Sequence, residues 1–277
     1  MKSEGPRGRT LRQVLGRHYL ASPGVLARIV RAIDPRPDDL VIEIGPGRGA
    51  LTYPLAERAG RVVAVEKDPA AVLALRDDPR PNLEIVESDV LDLDLHSLVE
   101  DRRGRARTVK LVGNLPYSIS SPFLFKVIEE RAAFDSAAFL VQKEVAHKVC
   151  ARPGGDGYGP LSIRIQAQFA ARIEFDVRPG SFVPPPKVDS AFFTLVKKEK
   201  GMIGPDEEPA FGRFLALAFR RRRRTLKNNL TPGYPTALAG GALEAVGLGP
   251  TVRPEDVSVE TVLRLFSYLN TGKGNGI

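Results

Sequence analysis

The chain has 277 residues, 43% hydrophobic and 27% charged, with 41 Lys and Arg against 33 Asp and Glu for a formal charge of +8. That composition can bury a core and excludes wholesale disorder, and the length fits one large domain with a smaller appendage. The single cysteine, Cys150, excludes a disulfide framework and a multi-cysteine zinc site, and no metal is expected.

No apolar run reaches the roughly 18 residues of a membrane span, and the basic N-terminus lacks the apolar stretch of a secretory signal. A reduced, cytoplasmic setting without membrane attachment is the expectation. The charge points to a polyanionic partner, nucleic acid before membrane.

A basic arm carrying Arg7, Arg9, Arg12 and Arg17 comes first. Residues 22–32 (SPGVLARIVRA) place Pro at a helix start, with apolar residues at helical spacing. DLVIEIG (39–45) is a β-branched run ending in Gly, the pattern of a buried strand. A helix over 50–59 follows, then strands in RVVAVEKD (61–68), LEIVESDV (83–90) and TVKLVGNLPY (108–117). PFLFKVIEE (122–130) is helical, and SAAFLVQ (136–142) is strand-like. YGPLSIRIQAQF (158–169) and DSAFFTLVKK (189–198) look like further strands, with the proline-stiffened loop SFVPPPKV (181–188) between them. After a polar linker (197–209) only helical patterns remain.

Strands alternating with helices predict an α/β chain with a parallel, doubly wound sheet and a small all-helical C-terminal domain. The boundary falls near residue 200, giving domains 1–200 and 201–277. Ligand sites of such sheets lie at the carboxyl ends of the strands, where strand order reverses.

The chemistry-bearing segments sit at those ends. In EIGPGRGALT (43–52), Gly45 and Gly47 allow a sharp turn and close backbone approach to a ligand before a helix. With Ala50 they also satisfy the degenerate dinucleotide fingerprint, so NAD stays open at this point. Glu66 ends the second strand and suits the hydroxyls of an adenosine ribose, which NAD enzymes also bind with an acid. Asp89 ends the third and suits an adenine amino group. The turn Asn114-Leu115-Pro116-Tyr117 ends the fourth strand. The Asn114 amide oxygen and the Leu115 carbonyl can accept the two N–H bonds of an exocyclic amine and draw its nitrogen toward a nucleophilic geometry. Tyr117 can stack on the base, worth about 1–3 kcal/mol. A sulfonium methyl donor is already activated, so positioning and charge neutralisation carry the rate. Hydride transfer has no use for this turn.

EIGPGRGALT, AVEKD, NLPYSISSP, FLVQKEVA and FVPPPKVDS together resemble the S-adenosylmethionine-dependent rRNA adenine N6-dimethyltransferases, which have a Rossmann-like methyltransferase fold. AFRRRRRTLKNNL resembles their bacterial small-subunit (KsgA/RsmA) branch. The resemblance runs from about Leu15 to Leu269. Erm-type enzymes of large-subunit rRNA share the first domain but read NIPY and lack the arginine-rich stretch.

The resemblance implies S-adenosylmethionine as methyl donor. It implies as substrate two adjacent adenosines near the 3′ end of small-subunit rRNA, met in an assembling 30S particle. The family's G-Q-N-F-L motif corresponds to Gly16-Arg17-His18-Tyr19-Leu20, where Arg, His and Tyr replace Gln, Asn and Phe. By that match His18 and Leu20 contact the donor, with Gly45 and Gly47 at its methionine end, Glu66 at the ribose, and Asp89 and Val90 at the adenine; Asn114 borders it as well. Asn114, Leu115 and Tyr117 hold the target base and Phe182 packs its other face, which requires base flipping.

Arg220, Arg221, Arg222, Arg223, Arg224 and Lys227 put six cations within eight residues, read as a helix against a phosphate backbone. Arg102, Arg103, Arg105, Arg107 and Lys110 form a second basic group. His96 and His147 look incidental, and Cys150 reads as a small buried residue. Nothing in the sequence demands a dimer, so a monomer is expected. The rival readings are an Erm-type enzyme, an NAD-dependent oxidoreductase and an assembly factor that keeps the fold without catalysis.

Overall fold

The computed structural model describes residues 18–199 and 203–271; the basic arm with Gly16 and Arg17 lies outside them. A short strand β1 (Tyr19–Leu20) precedes helix α1 (Pro23–Ile33), which opens on a proline whose missing N–H would have had no helical partner. Strand β2 (Asp39–Ile44) is buried at every position, as a parallel strand covered on both faces must be. Helix α2 (Thr52–Ala56), β3 (Arg61–Glu66), α3 (Pro69–Arg76) and β4 (Leu83–Glu87) complete the first winding. Helix α4 (Leu95–Arg103), β5 (Thr108–Asn114), α5 (Ser120–Glu129) and β6 (Ser136–Gln142) form the second. The expected helix over 50–59 is thus a short central piece of that range.

The main sheet has seven strands in the order β4-β3-β2-β5-β6-β9-β7, with β7 at Phe169–Val177 and β9 at Ser190–Lys197. The five from β4 to β6 are parallel. The chain moves outward from β2 through β3 to β4, then returns to β5 on the other side of β2. The reversal of strand order therefore lies between β2 and β5, where Ile44 is in register with Gly113. A Cβ on Gly113 would stand 2.5 Å from the Ile44 carbonyl oxygen, so this close pairing admits only glycine. Strand β8 (Phe182–Val183) lies apart from the sheet and pairs with β1.

Two compact units make up the chain: residues 1–145 with 173–194, and residues 146–172 with 195–277. In place of the single boundary expected near residue 200, the helical unit takes a second segment from inside the first domain. Its helices are α6 (Lys143–Cys150, from Ala146 onward), α7 (Pro160–Gln168), α8 (Glu208–Ala218), α9 (Leu226–Leu230), α10 (Thr236–Ala245) and α11 (Val259–Thr271). Phe211, Phe214 and Phe266 form its aromatic centre, with Phe211 and Phe266 edge to face at 5.1 Å. The Tyr158 hydroxyl donates to the Val257 carbonyl at 2.8 Å, and Arg164 pairs with buried Glu208 at 2.7 Å.

Three readings change here. The segment 158–169, taken as a strand, is mostly helix α7. Ser162 Oγ accepts the Gly159 N–H at 2.8 Å and donates to the Gly159 carbonyl, fixing the first turn behind Pro160. The arginine run is not helical: α8 ends at Ala218, and Arg220–Arg224 occupy the turn before α9. Lys110, grouped with the basic residues 102–107, is instead a half-buried β5 residue bonded to Asp39. Cys150 is half-buried, and His96 and His147 are exposed. No helix among the described residues is long and apolar enough to cross a membrane.

Candidate active site

A cavity of about 420 Å³ opens at the carboxyl ends of β2 and β5, where strand order reverses. Its floor is the turn after β2. Gly45, Gly47 and Gly49 have φ of +67°, +57° and +82°, a region open to glycine at no steric cost. At Gly47 the need is also spatial, since a Cβ would lie 2.9 Å from the Tyr19 ring. Glu66, at the end of β3, braces this turn. Its Oε2 accepts the Gly47 N–H at 3.1 Å, and its Oε1 accepts those of Lys67 at 2.9 Å and Asp68 at 2.8 Å.

The β1–β8 ribbon supplies one wall, pairing Tyr19 with Val183 and Leu20 with Phe182. His18 Nδ1 lies 2.8 Å from the Pro184 carbonyl, and the His18 carbonyl accepts from Asn114 Nδ2 at 3.1 Å. A carbonyl can only accept, so this bond assigns the amide: the Asn114 NH2 faces His18, and Oδ1 is left as the acceptor. In the following turn, Leu115 N–H donates to the Leu140 carbonyl at 3.0 Å, and the Pro116 carbonyl accepts from Ser120 Oγ at 3.1 Å. The Tyr117 hydroxyl meets Ser190 Oγ at 2.9 Å, and its ring lies 5.5 Å from that of His18. Burial pushes the Tyr117 hydroxyl up from its ordinary pKa, and the Ser190 contact opposes the rise.

The structure thus gathers nine of the residues singled out from sequence around one cavity: His18, Leu20, Gly45, Gly47, Glu66, Asn114, Leu115, Tyr117 and Phe182. Phe182 is buried, with 3% of its surface exposed. Asp89 and Val90 are not part of the lining. Asp89 follows β4, where its Oδ2 pairs with Lys67 Nζ at 2.5 Å and its Oδ1 accepts the Leu91 N–H at 3.0 Å. The Lys67 hydrogen bond is the main reason its carboxyl is held below the ordinary range.

Sequence reasoning passed over three lining or supporting groups. Arg48 stands 4.9 Å over the Tyr19 ring, and Ser190 is fully buried behind Tyr117. Glu43 is the third, an acid set in the apolar run from Leu40 to Ile44, which was its signal. It is wholly buried and lines the cavity beside the buried Thr52 hydroxyl, yet its Oε2 has no hydrogen-bond partner. Its pKa is pushed up to about 8, chiefly by burial; the Thr52 hydroxyl works against the rise and the Glu66 charge adds to it.

In the helical unit, Arg220–Arg224 are exposed, with no ion pair to any described residue. Lys227 is half-buried, its ammonium beside Gly240 of α10. Arg102 is taken up by Glu84, with bonds of 2.8 Å.

A glycine turn braced by a ribose-type acid, an oriented amide and an aromatic ring, all at the switch point, define a Rossmann-like transferase acting on an amine-bearing base. Residues 8–271 match the family Ribosomal RNA adenine dimethylase, and the chain belongs to it. Its methyl donor is S-adenosylmethionine. The cavity fits that molecule: its walls are apolar, and its buried carboxyl oxygen without a partner suits the cationic end. Among curated relatives, the chain is 42% identical to the ribosomal RNA small subunit methyltransferase A of Geobacter metallireducens, covering 94% of each. It is 41% identical to that of Koribacter versatilis, over 93% of this chain and 94% of the relative. Among solved structures, a dimethyladenosine transferase from Plasmodium falciparum aligns with a TM-score of 0.78 at 26% identity, over 92% of this chain and 98% of that one. The 23S rRNA methyltransferase ErmE aligns at 0.70 and 29%, over 91% and 99%.

Proposed function

We propose that this protein transfers methyl groups from S-adenosylmethionine to N6 of two adjacent adenosines near the 3′ end of small-subunit rRNA. The observation that carries the chemistry is the Asn114 amide, held by His18 so that Oδ1 is an acceptor in the cavity. The donor, when bound, supplies a methyl group on a cationic sulfur. Everything else is done by the chain. Asn114 Oδ1 and the Leu115 carbonyl accept the two N–H bonds of the adenine amine, and Tyr117 and Phe182 stack the flipped base. Gly45, Gly47, His18 and Leu20 seat the donor, and Glu66 takes its ribose. Asp89 and Val90 bind its adenine, which requires Asp89 to exchange its bond from Lys67 for one from the ring amine.

Identities of 36–42% to enzymes named for the small subunit, against 29% to the large-subunit enzyme, favour the small-subunit rRNA. Arg220–Arg224 and Lys227 contact its phosphates. The protein works as a cytoplasmic monomer on an assembling 30S particle. Asn114→Ala should abolish methylation of undermethylated small subunits, read by mass spectrometry of dimethyladenosine, while donor affinity stays nearly intact. Full activity in that variant would overturn the base-holding role, and product on purified large subunits instead would favour the Erm-type reading.

A further inference from the structure

Two carboxylic acids face the cavity floor, and they are provided for differently. Glu66 receives three backbone N–H bonds. Glu43 lies on the adjacent strand β2, in register with Ala64 two residues before Glu66, with 2% of its surface exposed and Oε2 without a donor. An ionised carboxylate buried with one oxygen left without a donor is costly enough to favour uptake of a proton instead. The methyl donor carries a sulfonium and an ammonium, so its arrival reverses that balance.

We infer that binding of the cationic donor in this cavity expels a proton from Glu43, whose carboxyl is neutral in the free protein and ionised in the complex. The inference rests on the cavity being the donor site. The other titratable or charged groups of the lining are His18 just before β1, Tyr19 from β1, Arg48 from the loop after β2, Glu66 from β3 and Tyr117 from the turn after β5. Thr52 from α2 adds a buried hydroxyl. Of the two acids, Glu43 is the one with a reason to be neutral before the donor binds, since its pKa near 8 reflects burial more than any charge. An opposite charge within about 4–6 Å lowers a carboxyl pKa by roughly 1–3 units. At pH 7 this takes Glu43 from mostly protonated to at least half ionised, with the proton passing to solvent.

The test is calorimetric titration of the full chain with S-adenosylmethionine at pH 7 in phosphate, HEPES and Tris, whose ionisation enthalpies differ. The slope of observed heat against buffer enthalpy counts the protons released. We expect about one-half to one, falling toward zero above pH 9, and a smaller count with S-adenosylhomocysteine, which lacks the sulfonium charge. Glu43→Gln should release none, whereas His18→Asn should keep the release. A flat slope in the parent protein, an undiminished slope in Glu43→Gln, or its loss in a His18→Asn protein that still binds the donor would each overturn the inference. Donor binding without proton release would leave the site assignment standing; absence of donor binding would overturn both.

Discussion

Lys110 offers a sharp test of how position in the fold decides what a cation does. Its ammonium has three partners: Asp39 Oδ2 at 2.8 Å, the Asp34 carbonyl at 2.6 Å and the Ile33 carbonyl at 3.2 Å. The two carbonyls close the C-terminus of α1, where a cation also meets the negative end of the helix dipole. Asp39 is 3% exposed and keeps one other donor, the Arg36 N–H at 2.8 Å. In Lys110→Met the chain loses the ion pair and the cap together and leaves a buried carboxylate short of a partner. Breaking a buried pair from one side costs about 3–5 kcal/mol, and the lysine end, 14% exposed, puts this case at the lower end. A loss of about 3 kcal/mol corresponds to a fall of about 6–12 °C in the melting temperature of a domain this size. Scanning calorimetry reads it directly. Asp39→Asn combined with Lys110→Met should recover much of the loss, because the uncompensated charge is gone. A Lys110→Met protein that melts within a degree of the parent and binds rRNA with a shallower salt dependence would refute the reasoning and return Lys110 to the phosphate contacts.

Glu43 also bears on stability. Its carboxyl ionises from about 8 in the folded chain against 4.5 for an unburied glutamate, so the native state binds more protons and loses stability as pH rises through that window. Relative to the parent, Glu43→Gln should gain about 3 kcal/mol between pH 4.5 and 7; urea unfolding showing a pH-independent difference would sink this. The Tyr117–Ser190 hydrogen bond should hold the ring in place, so Ser190→Ala should lower kcat about five-fold, the weight of one such bond. The same change made in Tyr117→Phe should then have little further effect, and additive losses would deny the coupling. Replacing Arg221 and Arg222 with Ala should reduce the slope of log affinity against log salt by about one per lost phosphate contact; filter binding with an unchanged slope would remove them from the interface.

Much of the α/β unit was legible because its signals are local. Parallel strands read as continuous apolar runs, closed by Gly45 after β2, by Glu66-Lys67-Asp68-Pro69 at the end of β3 and by Asn114-Leu115-Pro116 at the end of β5, so those three ends could be placed without the fold. The segment 158–169 misled because Ile163, Ile165 and Ala167 alternate with polar residues as a half-buried strand would; Pro160 and the Gly159–Ser162 turn were the weaker, correct signal. The arginine run reads as a continuation of the helical pattern because neither glycine nor proline separates it from α8, which ends at Ala218.

Sequence by itself determined the class of fold, the four strand-end motifs and the family to which they belong, since each is written in contiguous residues. Tertiary structure alone decided which acid is buried without a donor, which way the Asn114 amide points and which cations are already in use. Those depend on partners distant along the chain: 96 residues separate His18 from Asn114, and 76 separate Asp34 from Lys110. Burial and hydrogen bonding, the quantities that set charge and orientation, exist only once such residues have been brought together.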